Sequence, residues 1–379
     1  MKILQVASLG LPVHPNLKYA GTERVIAYLD KAYSEMGHDS MVAATGDSKV
    51  SGTLIPTIPQ SLWSTDGITS VTRQIKRDNS MVERHYKTCI DTILGDSSID
   101  VVHDHPGSGL VTQPGSERVV GQTKTPILVT LHGAFSDKNR DRYMKWAEMS
   151  RVDMGVYFNA ISHAQKRIFQ GEGLRVEDVI YHGLPLDRFG FQPKKEDYLL
   201  HLGRISLGKG THIAAEVAKK TGRRLLIAGE VHSVDDAYWN EKVKPLVDGD
   251  QIQFIGPQTD EQKIPLYQNA AGFIFPLQWE EPFGLVMIEA MATGTPVIAY
   301  SRGSVPEVVR NGKTGFVIQE TGDSKTDLEA MVSAVNKIES INPVECRSHV
   351  EQNFSIGREA ENYLNLYKRL IDLRIFAAA

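Results

Sequence analysis

A chain of 379 residues, 41% hydrophobic and 23% charged, is long enough for two ordinary domains and has the balance of a globular protein. Its formal net charge of −4 argues against a bulk nucleic-acid binder. Two cysteines, Cys89 and Cys346, make neither a disulfide framework nor a zinc site, and no apolar run approaches the length of a membrane span. Met1-Lys2-Ile3-Leu4 reads as the start of a strand rather than of a signal peptide, so a cytoplasmic protein is expected.

Residues 2–8 form a short buried strand, followed by a turn-rich stretch from Gly10 to Gly21. A helix then opens with Thr22 as N-cap, turns Val25, Ile26, Leu29, Ala32, Tyr33 and Met36 to one side, and ends at Gly37. A strand at 40–44 completes a βαβ unit. Residues 66–95 read as helix, 100–103 and 126–131 as buried strands, and His132-Gly133 closes the second. Helix 138–150, strand 155–161, helix 163–170 and strand 176–181 continue the alternation, which predicts a parallel sheet covered by helices on both faces.

Tyr181-His182-Gly183-Leu184-Pro185 is a turn-rich join, and the polar run 193–197 has the composition of a linker. The domain boundary is placed between them, giving a first domain at 1–185 and a second at 186–354. Alternation restarts with strand 198–203, helix 210–221, strands 224–228 and 251–255, helix 260–270 and strand 272–276. A buried helix over 282–294, strand 296–300, a short helix near 304–310, strand 314–318 and helix 325–339 follow. The fold class is therefore α/β, with two doubly wound, Rossmann-like parallel-sheet domains facing across a deep cleft, where ligands are expected beyond the carboxyl ends of the strands. A last helix, within 355–379, has no strand after it. Its pattern leaves open whether it packs back onto the first domain.

The stretch Glu281 to Gly294 is the most informative. Pro282 suits a first helical turn, Gly294 a stop, and the residues between are apolar on every side, so the helix should be buried. Glu289 is the one charge inside it and needs a partner. The amides of Phe283, Gly284 and Leu285, unpaired in a first turn, would make an anion site. Two carboxylates with free amides between them suit a sugar nucleotide. A buried helix whose glutamate pairs with a protein Arg or Lys is the plainer alternative.

Arg204 and Lys209 sit five apart in a glycine-flanked loop, Gly203 to Gly210, that opens a helix. That loop offers charge-assisted bonds to a diphosphate, although a solvated basic loop explains the same residues. No Walker loop and no Gly-x-Gly-x-x-Gly after the first strand is present.

Together these features resemble the retaining glycosyltransferases of family 4, with the GT-B fold. The markers run in order over nearly the whole chain. They are Gly-Thr-Glu-Arg-Val (21–25), Leu-His-Gly (131–133), Ala-Ile-Ser-His (160–163), His-Gly-Leu-Pro-Leu-Asp-Arg-Phe (182–189) and Gly-Arg…Lys-Gly (203–210). Glu-Pro-Phe-Gly-Leu-Val-Met-Ile-Glu-Ala-Met-Ala (281–292), Gly-Thr-Pro-Val-Ile-Ala (294–299), Gly-Ser-Val-Pro-Glu-Val-Val (303–309) and Gly-Lys-Thr-Gly-Phe-Val (312–317) complete the set.

The resemblance implies transfer of a hexosyl unit from a nucleoside-diphosphate sugar, most often a UDP-sugar, to an acceptor hydroxyl, with no cofactor and no divalent metal. Arg204, Lys209 and the amides at Gly284 and Leu285 would stabilise the leaving diphosphate. Glu281 would contact the sugar, Glu289 the ribose, and backbone around Ile255 and Gly256 the base. Gly21 would let its loop approach the diphosphate, and His132 would lie near the anomeric carbon. Two departures, Tyr181-His182-Gly183 for the usual Pro-Asn-Gly and Ala20-Gly21 for Gly-Gly, remove no charged donor contact and leave the acceptor side less defined. The acceptor itself, saccharide, lipid or small molecule, is not spelled out.

His103-Asp104-His105 has the look of a metal motif, but two histidines spaced so on a loop lack a third ligand, and contact with donor or acceptor is the better reading. Arg73, Lys76, Arg77, Arg84 and Lys87 could meet a membrane surface, with Trp63 just upstream. Asp78 and Glu83 interrupt them, which favours a solvated face. The other functional readings are a sugar-nucleotide epimerase or synthase on this fold, which needs extra acid–base pairs, and a non-catalytic sugar-nucleotide binder.

Overall fold

The computed structural model describes residues 1–17, 21–62, 80–105, 109–152 and 154–377. Trp63, Arg73, Lys76, Arg77 and Asp78, with the first part of the expected helix 66–95, lie outside the described residues. The chain divides into two compact units, Met1–Gly183 with Ile356–Ala379, and Leu184–Ser355. Among the described residues no helix is long and apolar enough to cross a membrane.

The first unit is a parallel sheet of seven strands in the order β3-β2-β1-β4-β5-β6-β7. These are β1 (Lys2–Val6), β2 (Asp39–Ala44), β3 (Thr53–Pro56), β4 (Val101–Asp104), β5 (Ile127–Leu131), β6 (Val156–Ala160) and β7 (Asp178–Val179). The helices are α1 (Thr22–Glu35), α2 (Ser80–Gly95), α3 (Arg140–Arg151) and α4 (His163–Gly171). Val and Ile fill the central strands because a sheet covered on both faces buries every side chain. Leu4, Val6, Val102, Val129 and Phe158 form one apolar layer, while Ala7, Ile26, Val42 and Ala44 pack in another.

The second unit is a six-stranded parallel sheet, β10-β9-β8-β11-β12-β13. Its strands are β8 (Tyr198–Leu202), β9 (Arg224–Ala228), β10 (Ile252–Gly256), β11 (Gly272–Phe275), β12 (Val297–Tyr300) and β13 (Gly315–Ile318). Around them lie α5 (Thr211–Thr221), α6 (Asp260–Asn269), α7 (Leu285–Ala292), α8 (Val305–Val308), α9 (Ser324–Asn336) and α10 (Pro343–Asn353). In both sheets the strand order reverses once, between β1 and β4 and between β8 and β11. Connections leave in opposite directions there and open a crevice at the carboxyl ends.

Several local expectations are corrected. Thr22 is the first residue of α1 and Gly21 its N-cap, with no side-chain capping bond. The helix expected from Pro282 begins only at Leu285, because Gly284 takes a left-handed backbone (φ 81°) that no α-helix contains. Pro282 and Phe283 therefore precede it. The strand expected to end at His103 runs on to Asp104, so of the two histidines only His105 lies past its end. β3 was not anticipated, being a short edge strand that ends in Pro56, and neither was α10. The α10 start was written in the sequence all the same, since Asn342 caps the Val344 amide and Pro343 takes the first turn.

The last helix, α11 (Ile356–Ala377), belongs to the first unit. Tyr363 and Tyr367 are fully buried there, and the Tyr367 hydroxyl lies 3.0 Å from that of Tyr33 on α1.

Candidate active site

In the second unit the strand-end residues converge at the reversal between β8 and β11. After β8 the loop is pinned by Gly203 N–H to Ala228 O (3.1 Å) and Ile205 N–H to Glu230 O (2.9 Å). Gly210 ends it at φ 68°, where a Cβ would stand 1.9 Å from Pro276 O, so only glycine lets the loop pass β11 this closely. That passage sets Lys209 beside the segment after β11. Its Nζ donates to Glu281 Oε2 at 2.6 Å and stands 4.7 Å from the Trp279 ring centre. Trp279 Nε1 donates to the same oxygen at 3.0 Å. Arg204 turns instead to Asp235, with Nε at 2.7 Å and Nη2 at 2.6 Å from Oδ2.

Glu281 is also held by its backbone. Ser304 N–H donates to Glu281 O (2.9 Å) and Ser304 Oγ–H to Phe283 O (2.7 Å), so the turn before α8 clamps the segment before α7. The first-turn amides of α7, at Leu285 and Val286, have no intrahelical acceptor by geometry. Glu289, one turn on, is buried and accepts from the Tyr267 hydroxyl at 3.1 Å. On β10 the ladder with β9 skips Ile255, a bulge at the sheet edge. The Ile255 carbonyl accepts from the Gln258 side-chain amide at 2.7 Å.

The first unit gathers histidines at its own reversal. His132 follows β5, and Gln165 Nε2 donates to the carbonyls on both sides of it, Leu131 O at 2.6 Å and Gly133 O at 2.8 Å. The His132 Nε2 lies 2.9 Å from His105 Nδ1, and its ring stacks on His182 with centres 5.2 Å apart and planes within 10°. Behind His182 stands Glu359 of α11, with Oε1 2.8 Å from His182 Nδ1 and Oε2 accepting Gly183 N–H at 2.7 Å. Burial governs the charges. It pushes His182 down to about 3, holds His105 and His132 well below the usual imidazole range, and lifts Glu359 well above that of a carboxylate. These are neutral rings at physiological pH.

Beneath them runs a buried polar network whose proton directions follow from one amide. Asn159 Nδ2 donates to Ala160 O, so its Oδ1 is the acceptor for Thr130 Oγ1–H at 2.6 Å. Thr130 has then spent its proton and accepts from His103 Nε2–H at 2.6 Å. His103 Nδ1 must accept from Tyr367 O–H (2.6 Å), which accepts in turn from Tyr33 O–H (3.0 Å). Both nitrogens of His103 are thus used inside the unit. The expected contact of His103 with a ligand is not what the structure shows.

Residues 186–353 match the family model of glycosyl transferases group 1. The chain carries a group 1 glycosyl transferase domain. Over 184 residues it is 30% identical to spore coat protein SA of Bacillus subtilis, covering 45% of this chain and 48% of that protein. Over 121 residues it is 36% identical to D-inositol 3-phosphate glycosyltransferase of Rhodococcus erythropolis, covering 31% of this chain and 27% of that one. The matches thus span about half or less of those relatives' own length. Among solved structures the chain is similar to Anabaena HepE in complex with UDP and glucose, with a TM-score of 0.74 and 18% identity over 97% of this chain and 100% of that one. At this identity the likeness is one of fold, and the two parallel sheets are those of the GT-B glycosyltransferases.

The glycosyl transferase domain brings together Lys209, Glu281, Gly284 and Leu285. It holds Arg204 against Asp235, leaves Ile255 and Gly256 at the edge of the sheet, and buries Glu289 inside α7. Gly21 and His132 belong to the first unit, where Gly21 is exposed at the start of α1 and His132 is half-buried. Asp235, Tyr267, Trp279, Ser304 and Glu359 were not singled out from sequence. Ser304 stood inside a marker and Trp279 only two positions before Glu281, while Asp235, Tyr267 and Glu359 lie too far along the chain from their partners for spacing to reveal them. The basic residues Arg84 and Lys87 are exposed, and Lys87 pairs with Asp91, as on a solvated face.

Proposed function

We propose that the chain is a retaining, family 4 glycosyltransferase that moves a hexosyl unit from a UDP-sugar to an acceptor hydroxyl without a divalent metal, in the cytoplasm. The observation that carries this reading is the Lys209–Glu281 contact at the β8/β11 reversal, beside the open first turn of α7. A fixed ammonium and helix amides can stabilise the negative charge that grows on a departing diphosphate, the work a metal ion does elsewhere. Glu281, held by Lys209, Trp279 and Ser304, is assigned to the sugar hydroxyls. Glu289 is assigned to the ribose, in exchange with Tyr267. Arg204 adds a second cation to the diphosphate, and the bulged backbone at Ile255 and Gly256 reads the base.

In the first unit, His132 is assigned to the transferred sugar and Gly21 to the diphosphate. The UDP and glucose in the HepE complex support UDP as the nucleotide. The test is turnover of a panel of UDP-, GDP- and ADP-sugars with saccharide, lipid and small-molecule acceptors in the presence of a chelator. Product with the donor's anomeric configuration is expected. An inverted product, or activity abolished by the chelator, overturns the mechanism.

A further inference from the structure

The His105 ring lies just past β4, only 1% exposed, with Nδ1 at 2.9 Å from His132 Nε2. Its other nitrogen, Nε2, is buried and has no hydrogen-bond partner among the described residues. With both rings neutral, one proton lies between them, and two arrangements are open. If His132 Nε2 donates, the His105 proton must sit on Nε2, as a buried N–H with no acceptor. If His105 Nδ1 donates, only an unused lone pair is left at Nε2. Buried donors without acceptors are the rarer and costlier orphans in folded proteins, which selects the second arrangement.

His132, accepting at Nε2, then carries its own proton at Nδ1. The stack on His182, itself braced by Glu359, and the Gln165 bonds on either side of His132 keep the ring from turning over. His132 is half-buried where His105 is closed off, so of the two rings it is His132 that can reach a ligand. We infer that His105 is a positioning residue that fixes the Nδ1–H tautomer of His132, so that His132 meets its substrate as a hydrogen-bond donor to oxygen and not as a base. The role at the substrate rests on assigning His132 to the transferred sugar; the tautomer does not.

The test is nitrogen NMR of the full chain labelled at histidine, with His132 assigned by its absence from the His132→Asn spectrum. The expected pattern at neutral pH is a protonated Nδ1 and a bare Nε2 on His132; a proton on Nε2 overturns the inference. His105→Asn keeps an N–H donor where Nδ1 stands and should preserve both the pattern and most of kcat/KM. His105→Leu should give mixed tautomers and lower kcat/KM at least about tenfold, mainly through kcat. Unmixed tautomers and full kcat/KM in the leucine variant overturn the role of His105. The expected pattern in a chain that transfers no sugar counts against the transferase reading and supports the tautomer. Sugar transfer with His132 protonated at Nε2 counts against this inference alone.

Discussion

Lys209 Nζ lies 2.6 Å from Glu281 Oε2, although 72 positions separate the two residues in the chain. A carboxylate on the ammonium holds it in place, and in the proposed donor complex the same carboxylate would share that cation with the phosphate. Replacing Lys209 by Ala should therefore lower kcat by about 100-fold and change KM only a few-fold, as loss of a charge contact made chiefly in the transition state does. Steady-state kinetics measure this, and an unchanged kcat would remove Lys209 from the mechanism. Glu281→Gln keeps a side chain for Trp279 and releases the lysine. It should bind nucleoside diphosphate at least as tightly as the parent by calorimetry while turning over more slowly.

Gly303 sits under Glu281 at φ 56°, and a Cβ there would meet Glu281 O at 2.2 Å and Glu281 N at 2.4 Å. Neither backbone atom can move without shifting the carboxylate. Gly303→Ala should weaken binding of the donor nucleotide at least about tenfold and destabilise the fold by about 2 kcal/mol or more. Calorimetric binding and urea unfolding test the two effects separately.

The direction of the buried chain Tyr33→Tyr367→His103→Thr130 makes its two tyrosines unequal. Tyr367→Phe strips the donor from His103 Nδ1 and leaves a buried acceptor bare, at a cost of about 1–3 kcal/mol. Tyr33→Phe removes a donor from Tyr367 alone and leaves the histidine satisfied, so it should cost about 1 kcal/mol or less. Urea unfolding of both variants and of the double variant reads the order; equal costs would mean the protons run the other way.

Asp104 is fully buried, with one oxygen accepting the Leu110 amide and the other, Oδ1, without a partner among the described residues. Burial lifts its carboxyl to about 8 from an ordinary value of 3.8. The folded chain thus keeps a proton that the unfolded chain releases above 3.8. The stability from this group is full in acid and drains as pH rises toward 8. Asp104→Asn cannot titrate. Its stability relative to the parent should rise with pH by up to about 1.4 kcal/mol per unit, or about 2–3 kcal/mol between pH 5 and pH 7. Parallel urea midpoints at the two pH values would show that the carboxyl is ionised in the folded state.

The sequence alone determined the two parallel sheets, because strand and helix periodicity and the turns between them are local properties. It also marked Lys209, Glu281 and His132 as strand-end residues, since the glycines and prolines around them can be read one position at a time. Their partners were another matter. Asp235 beside Arg204, Tyr267 beside Glu289 and Glu359 behind His182 stand 31, 22 and 177 positions away. No period links such distances. The amphipathic spacing of α11 announced a helix but not the sheet it covers, because one apolar stripe fits either core.

Only the folded first unit decided that. It set Tyr363 and Tyr367 over the polar groups His103, Thr130 and Asn159, whose buried hydrogen bonds an apolar helix face could not satisfy. Tertiary structure also moved the start of α7 to Leu285, where a left-handed Gly284 outweighs the proline two positions earlier. And it took apart the metal-like string His103-Asp104-His105, since successive residues of a strand face opposite sides of its sheet: Asp104 points away from the two histidines, whose ring centres lie 3.8 Å apart.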